Sequence, residues 1–171
     1  STGLLSNKLY NNHKDKNINL TAIDNSKHMI SVAKKKKSKV KFLKADIDNF
    51  KFKNSDLIYS LYTMQFIKPS TRQNIFDKIY KSLNWGGGFI IFEKIRGSDA
   101  RFQDMLTFLY YDFKKKNGFN SNEILSKEQS LRGNLDPFTY SENIKFLKRA
   151  GFKDIMPIAQ YLCFIGILAV K

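Results

Sequence analysis

The sequence predicts an α/β fold in which a mostly parallel sheet is covered by helices, with a terminal antiparallel strand pair and a helical insertion. Three observations predict it. Short apolar runs alternate with amphipathic stretches of helical spacing along most of the chain. Those runs are nearly continuous, as in strands buried on both faces. The last two runs, around Ile155 and from Leu162 to Val170, follow each other with no helix between them, so they should pair antiparallel.

The elements follow in order. Leu4 to Asn11 reads as a short helix after the turn Ser1-Thr2-Gly3, and Ile18 to Ile23 as a strand ending at Asp24. Ser26 is placed to cap a helix that runs to about Lys37, with Met29, Ile30 and Ala33 inward. Val40 to Leu43 is a short strand ending near Asp46, and Asp56 to Leu61 a buried strand. Ser70-Thr71-Arg72-Gln73, just after Pro69, has the form of a capping box, and Ile75, Phe76, Ile79, Tyr80 and Leu83 then share one helix face. Trp85-Gly86-Gly87-Gly88 should stop that helix, and Phe89 to Glu93 should form the next buried strand. Phe102, Met105, Leu106, Leu109, Tyr110 and Phe113 lie on one helical stripe ending at Gly118, and a further helix runs from Ser121 to about Arg132. Residues of about 98–133 are therefore read as a helical insertion beside the sheet. Thr139-Tyr140-Ser141-Glu142 is a second capping box, and its helix stops at Ala150-Gly151. No repeat, linker or composition break appears, so 1–171 reads as a single domain.

Composition narrows the function classes. With 42% hydrophobic and 14% aromatic residues the chain is not of the disordered type. No apolar run is long enough to span a bilayer. One cysteine, Cys163, allows no internal disulfide and favours a reducing, cytoplasmic setting. The chain opens on Ser1-Thr2-Gly3 with neither a signal stretch nor an initiator Met, so further residues are expected upstream. A net charge of +15 invites a nucleic-acid reading, yet the lysines are spread over nearly every element. The dense run Lys34–Lys37 sits where a helix should end, which the helix dipole favours; a solvated helix end and an RNA contact both remain open there.

In an open parallel sheet, ligands bind beyond the carboxyl ends of the strands. Asp24 stands at one such end, where an acid accepts hydrogen bonds from both hydroxyls of a ribose, and Asn25 beside it adds another bond. Asp46 ends the next strand, where a carboxylate accepts from an adenine amino group, with Ile47 as an apolar wall. Leu61-Tyr62-Thr63-Met64-Gln65-Phe66 ends the strand after that, and Gln65 is expected at the mouth of the pocket. An Asp at a strand end also serves as an ordinary turn former. No metal-ligand cluster and no Ser/His/Asp arrangement stands out.

Several segments together resemble one family. They are Ala22-Ile23-Asp24-Asn25-Ser26, Lys44-Ala45-Asp46-Ile47, the run Tyr62 to Gln73, Asp77 to Tyr80, Leu83 to Gly87, Glu93-Lys94, Asp112-Phe113-Lys114, Asn117-Gly118 and Ala150-Gly151-Phe152. They resemble the carboxy-S-adenosylmethionine synthases, a family of the class I methyltransferase superfamily, which has a Rossmann-like fold. The resemblance implies S-adenosylmethionine or carboxy-S-adenosylmethionine as cofactor, prephenate as small-molecule substrate and a role in modifying the tRNA wobble uridine through a partner tRNA carboxymethyltransferase. It also implies a homodimer. Carried over, Ser1 and Gly3 belong to the loop supporting the cofactor, Asp24 and Asn25 bind the ribose, and Asp46 and Ile47 the adenine. Leu61 takes the position of a cofactor contact.

Three departures from the family pattern are visible. Its first strand, before the glycine loop, is missing from this chain. Leu61 stands where the family usually has Asn. Glu128 stands where the family has the arginine that pairs with the added carboxylate, while Arg132, four residues on, lies on the same helix face and is the candidate replacement anchor. Glu128 and Arg132 could equally form only an exposed pair. An ordinary S-adenosylmethionine-dependent methyltransferase and a non-enzymatic RNA- or partner-binding domain are the alternative functions; a nicotinamide dehydrogenase is a weaker one.

Overall fold

The structure, a computed structural model, describes residues 1–36 and 38–171. Lys37, the expected end of the second helix, lies outside the described residues. The chain divides into two compact units, Ser1–Lys51 and Phe52–Lys171.

The first unit contains α1 (Leu4–Asn12), β1 (Thr21–Asp24), α2 (Lys27–Lys35) and β2 (Lys41–Lys44). The two strands pair in parallel, from Thr21 opposite Lys41 to Asp24 opposite Lys44, which requires a crossover, and α2 supplies it. Ser26 caps α2 as expected, its hydroxyl accepting from the Met29 N–H at 3.3 Å. Ile30 and Ala33 of α2 pack with Val40 and Phe42 to form the core of this unit. Met29, expected inward, is exposed instead, while Ile30 and Ala33 of the same helix are buried. The same shortness explains why β1 starts at Thr21 rather than Ile18, since β2 offers no partner before Lys41. Lys34 and Lys35 fall in the last turn of α2, where the helix dipole favours them. Gly3 caps α1 with φ +72°, and a Cβ there would lie 2.7 Å from the Phe42 ring, so both conformation and space call for glycine.

The second unit contains β3 (Ser55–Leu61), α3 (Pro69–Ser82), β4 (Leu83–Lys94), α4 (Ala100–Lys116), α5 (Ser121–Leu131), α6 (Tyr140–Ala150), β5 (Asp154–Tyr161) and β6 (Phe164–Val170). The strand order is β3-β4-β6-β5. β3 and β4 are parallel, and β6 runs antiparallel to both β4 and β5, so β5 shares the direction of β4. The terminal antiparallel pair is thus present, and only β6 is reversed in this sheet. Phe76 lies between the rings of Phe89 and Phe146, and Phe152, Ile79, Ile91, Leu147 and Ile167 complete the core.

Several local expectations are corrected here. β3 was read as buried, but it lies at the edge of its sheet; Leu57 is exposed and Ser60 is its one buried residue. The capping box at Ser70 does not form. Pro69 opens α3 at the first helical position, where its missing N–H costs nothing, and Gln73 bonds Asp77 and the Phe146 carbonyl. Trp85-Gly86-Gly87-Gly88 is not what stops α3: the helix ends at Ser82, β4 begins at Leu83 and contains the four residues, and Lys171 exchanges backbone hydrogen bonds with Gly86 and Gly87. The capping box at Thr139 and Glu142 forms as expected, as does the glycine stop at Gly151. There φ is +119° and a Cβ would lie 2.8 Å from the Tyr80 ring. The helical insertion is α4 and α5; its second helix carries an additional capping box, Asn120 with Glu123. The stripe on α4 is only partly covered, and Phe102, Met105 and Leu109 remain exposed.

Candidate functional site

Parallel pairing brings the carboxyl ends of β1 and β2 side by side, and the Asp24 carbonyl accepts from the Ala45 N–H at 3.1 Å. Asp24 ends β1. Its Oδ1 accepts from the Ser26 N–H at 2.8 Å, which fixes the carboxylate, and its Oδ2 meets the Ser1 amino group. The Ser1 hydroxyl accepts from the Gly3 N–H, so Ser1, Gly3 and Asp24 gather at the start of α1. Asn25 is exposed beside them. Asp46 lies two residues beyond the end of β2, not at its last residue; its Oδ1 accepts from the Asp48 N–H at 3.0 Å, and Ile47 is half-buried. Each acid therefore closes a local turn with one oxygen. Asp46, so oriented, can use its other oxygen to accept from a hydroxyl or amino group without further ordering cost, while the other oxygen of Asp24 already accepts from an amino group.

In the second unit, Leu61 is the last residue of β3, half-buried, with no polar side-chain atom to offer a nucleoside. The chain then turns sharply at Tyr62, which has φ +52°. Gln65, expected at a pocket mouth, is 7% exposed and is a structural residue. Its side-chain oxygen accepts from the Lys94 N–H at 2.7 Å and its carbonyl from the Asp136 N–H at 2.8 Å. A polar group placed at a strand end is here used up by backbone donors that would otherwise be buried without partners.

Sequence reasoning missed the group that organises this turn. Glu93, near the end of β4, is 3% exposed. Its Oε1 accepts from the Thr63 and Met64 N–H groups at 3.1 and 2.9 Å, and its Oε2 from the Gln65 N–H at 2.8 Å. Burial pushes its carboxyl up to about 7, against the opposing pull of those three donors and of Arg72. Arg72 is buried too, donating to the carbonyls of Ile67 and Asp136, with its guanidinium 4.4 Å from the centre of the Phe138 ring. The signal available in the sequence was an acid closing the apolar run Phe89 to Phe92.

In the insertion, Glu128 does not pair with Arg132. Its Oε2 accepts from the Tyr111 hydroxyl at 2.5 Å and its Oε1 lies 3.8 Å from the Lys114 ammonium. Arg132 is the C-cap of α5, past its last helical turn, and is exposed. The expected shared helix face therefore ends one residue too soon. Among the described residues, no group of three or more His, Cys, Asp or Glu gathers as metal ligands would, and no helix is long and apolar enough to cross a membrane. Cys163 is buried, as its position in an apolar run implied.

The methyltransferase domain family matches residues 1–87, the stretch that holds both strand-end acids. The carboxy-S-adenosyl-L-methionine synthase of Staphylococcus epidermidis is 39% identical over 173 residues, covering 100% of this chain and 75% of the relative. That of Campylobacter lari is 38% identical over 162 residues, covering 92% of this chain and 69% of the relative. Among solved structures, human N-acetylserotonin methyltransferase in complex with SAM superposes with a TM-score of 0.66 at 17% identity, over 99% of this chain and 45% of that one. An O-methyltransferase family 2 protein from Planctomyces limnophilus superposes with a TM-score of 0.70 at 14% identity, over 100% of this chain and 48% of that one. The chain thus spans about half the length of these solved structures, which share its class I methyltransferase fold. With strand-end acids on a Rossmann-like sheet and this identity along its length, the chain belongs to the carboxy-S-adenosyl-L-methionine synthase family of S-adenosylmethionine-dependent transferases.

Proposed function

We propose that the chain converts S-adenosylmethionine and prephenate to carboxy-S-adenosylmethionine, phenylpyruvate and water, the water formed from the prephenate hydroxyl and a proton of the sulfonium methyl, and that the carboxylated product serves tRNA wobble-uridine modification by a tRNA carboxymethyltransferase. The observation that carries the reading is the pair of carboxylates beyond adjacent parallel strands, each fixed by its own turn. Asp24 and Asn25 hold the ribose, Asp46 and Ile47 the adenine, and Ser1 and Gly3 line the approach at the start of α1. Bound S-adenosylmethionine supplies the sulfonium methyl that receives the carboxyl group. The chain's residues fix the nucleoside, and a cation holds the added carboxylate. Arg132 is the candidate for that cation, because its exposed guanidinium suits two parallel hydrogen bonds to a carboxylate. The enzyme acts in the cytoplasm as a homodimer, for which the exposed apolar side chains Phe102, Met105, Phe108 and Leu109 of α4 offer a contact face.

An ordinary methyltransferase is the second reading, favoured by Leu61 and by Glu128 at the family's arginine position. Mass spectrometry of the small molecule released from the freshly purified full-length protein separates the two. Carboxy-S-adenosylmethionine, lost on Arg132→Ala, supports the first reading. S-adenosylmethionine or its homocysteine product alone supports the second.

A further inference from the structure

The first unit is polarised in charge. Asp24 ends β1 and Asp46 lies just beyond β2, at the carboxyl ends of the strands. Lysines gather at the opposite ends. Because β1 and β2 are parallel, α2 runs back between them, so its last turn and the start of β2 meet at the amino ends of the strands. Lys34 and Lys35 close α2, Lys39 precedes β2 and Lys41 opens it, and Lys14 and Lys16 flank Asp15 in the short 3-10 turn after α1. Residues 14–16 and 34–41 hold eight lysines against one acid, Asp15, where the chain as a whole has 30 cations against 15 acids. The helix dipole accounts for Lys34 and Lys35. It does not account for Lys14, Lys39 and Lys41, which lie outside the α-helices. Among the described residues none of these lysines makes an ion pair. Like charges crowded in this way repel one another until a polyanion or small counter-ions neutralise them.

Between the end of α1 and the start of β2 lies an open groove of about 480 Å³, lined by Tyr10, Asn11, Lys14, Ser38 and Lys39, none of them acidic. That volume suits a group of nucleotide size. Tyr10 packs against the core of the unit as well as lining the groove, so its ring is held in place there. The Ser38 hydroxyl accepts from the Val40 N–H at 3.3 Å and keeps its own proton to donate. We propose that this groove binds single-stranded RNA: a base stacks on Tyr10, Lys14 and Lys39 hold phosphates, and Asn11 and Ser38 bond ribose 2′-hydroxyls. Each group meets the part of RNA its chemistry fits, since aromatic rings stack any base, ammonium groups displace the counter-ions of phosphates, and the 2′-hydroxyl both donates and accepts. Lys16, Lys34, Lys35 and Lys41 extend the positive field around the groove. The groove and the strand-end acids lie at opposite ends of the strands, so RNA and a nucleoside cofactor do not compete, and the inference stands without the proposed function.

The test is fluorescence anisotropy of a labelled oligouridylate, a single strand with little structure of its own, titrated with the full-length protein over a range of salt concentrations. Three proteins are compared: wild type, the double variant Lys14→Glu with Lys39→Glu, and a control of equal charge change on the exposed side of α6, Lys145→Glu with Lys148→Glu. The groove variant should bind about tenfold or more weakly, and its salt slope should fall by about 1.4, the share of two phosphate contacts on a single strand. The control should bind as wild type does, and S-adenosylmethionine affinity should be the same in all three. No binding of the oligouridylate by wild type overturns the proposal. Equal losses in the groove variant and the control also overturn it, since net charge alone would then be at work. Equal affinity for the matching oligodeoxyuridylate overturns the assignment to RNA, and so does tighter binding to phosphatidylserine vesicles than to the oligonucleotide. If the charge reversal does not fold, Lys14→Gln with Lys39→Gln carries the same comparison.

Discussion

Carboxylates stand at strand ends in both units of this molecule, and their surroundings give them opposite duties. Asp24 and Asp46 each use one oxygen to close a turn only two residues long; the other oxygen of Asp24 meets the exposed Ser1 amino group, and Asp46 is exposed. Glu93 is sealed inside the second unit, and both its oxygens are filled by backbone donors from a turn 28 to 30 residues earlier in sequence. The first arrangement leaves the acids where a ligand can reach them; the second closes both oxygens off with backbone donors. An acid at a strand end is therefore a ligand contact or a structural plug according to how many donors the protein itself supplies.

The sharpest way to break this contrast is Glu93→Ala. It leaves the N–H groups of Thr63, Met64 and Gln65 without their acceptor and removes one of the two carboxylates near Arg72, and should cost about 3–5 kcal/mol of stability. Urea unfolding measures it. A loss under about 1 kcal/mol would mean that the turn is held by something else. Gly3→Ala comes next. It forces a positive φ on alanine and brings a Cβ to 2.7 Å from Phe42, and should cost about 1–3 kcal/mol in the same assay.

Asp46→Ala probes the other kind of acid. Cofactor affinity should fall about tenfold, while the unfolding midpoint moves little because only one exposed turn bond is lost. A further effect is in the pH profile. The folded-state Glu93 carboxyl lies at about 7, above its ordinary 4.5, so between those values the folded chain holds more protons than the unfolded one. The contribution of Glu93 is thus full below 4.5 and lost as pH rises through about 7. Glu142, pulled down by hydrogen bonds from Thr139, acts in the opposite sense: its contribution is present above its ordinary value and lost as pH falls below it. Glu93→Gln should flatten the first limb of the stability profile and leave the second, as thermal melts across pH would record.

Features set by neighbours in sequence were legible from the sequence. Ser26, Thr139 with Glu142, and Gly151 act within a turn of themselves, and each took its expected place. Asp24 was legible because a strand end is a sequence pattern. Features set by distant partners were not. Gln65 looks free in sequence and is consumed by Lys94, 29 residues on. The apolar run of β3 reads as an interior strand, yet its place at a sheet edge depends on which strands pair. Arg132 seemed to share a face with Glu128, but α5 stops at Leu131 and Glu128 turns to Tyr111 and Lys114 on α4.

The central claim is that the fixed carboxylate of Asp24 holds the nucleoside of S-adenosylmethionine. The most direct measurement is a calorimetric titration of S-adenosylmethionine into the full-length wild type and Asp24→Ala, with urea unfolding of both. The account predicts binding weakened about tenfold to a hundredfold, since a hydrogen-bonded charge is removed, with the unfolding midpoint nearly unchanged. Equal affinity in the two proteins would contradict it and reduce Asp24 to the former of the turn at Ser26.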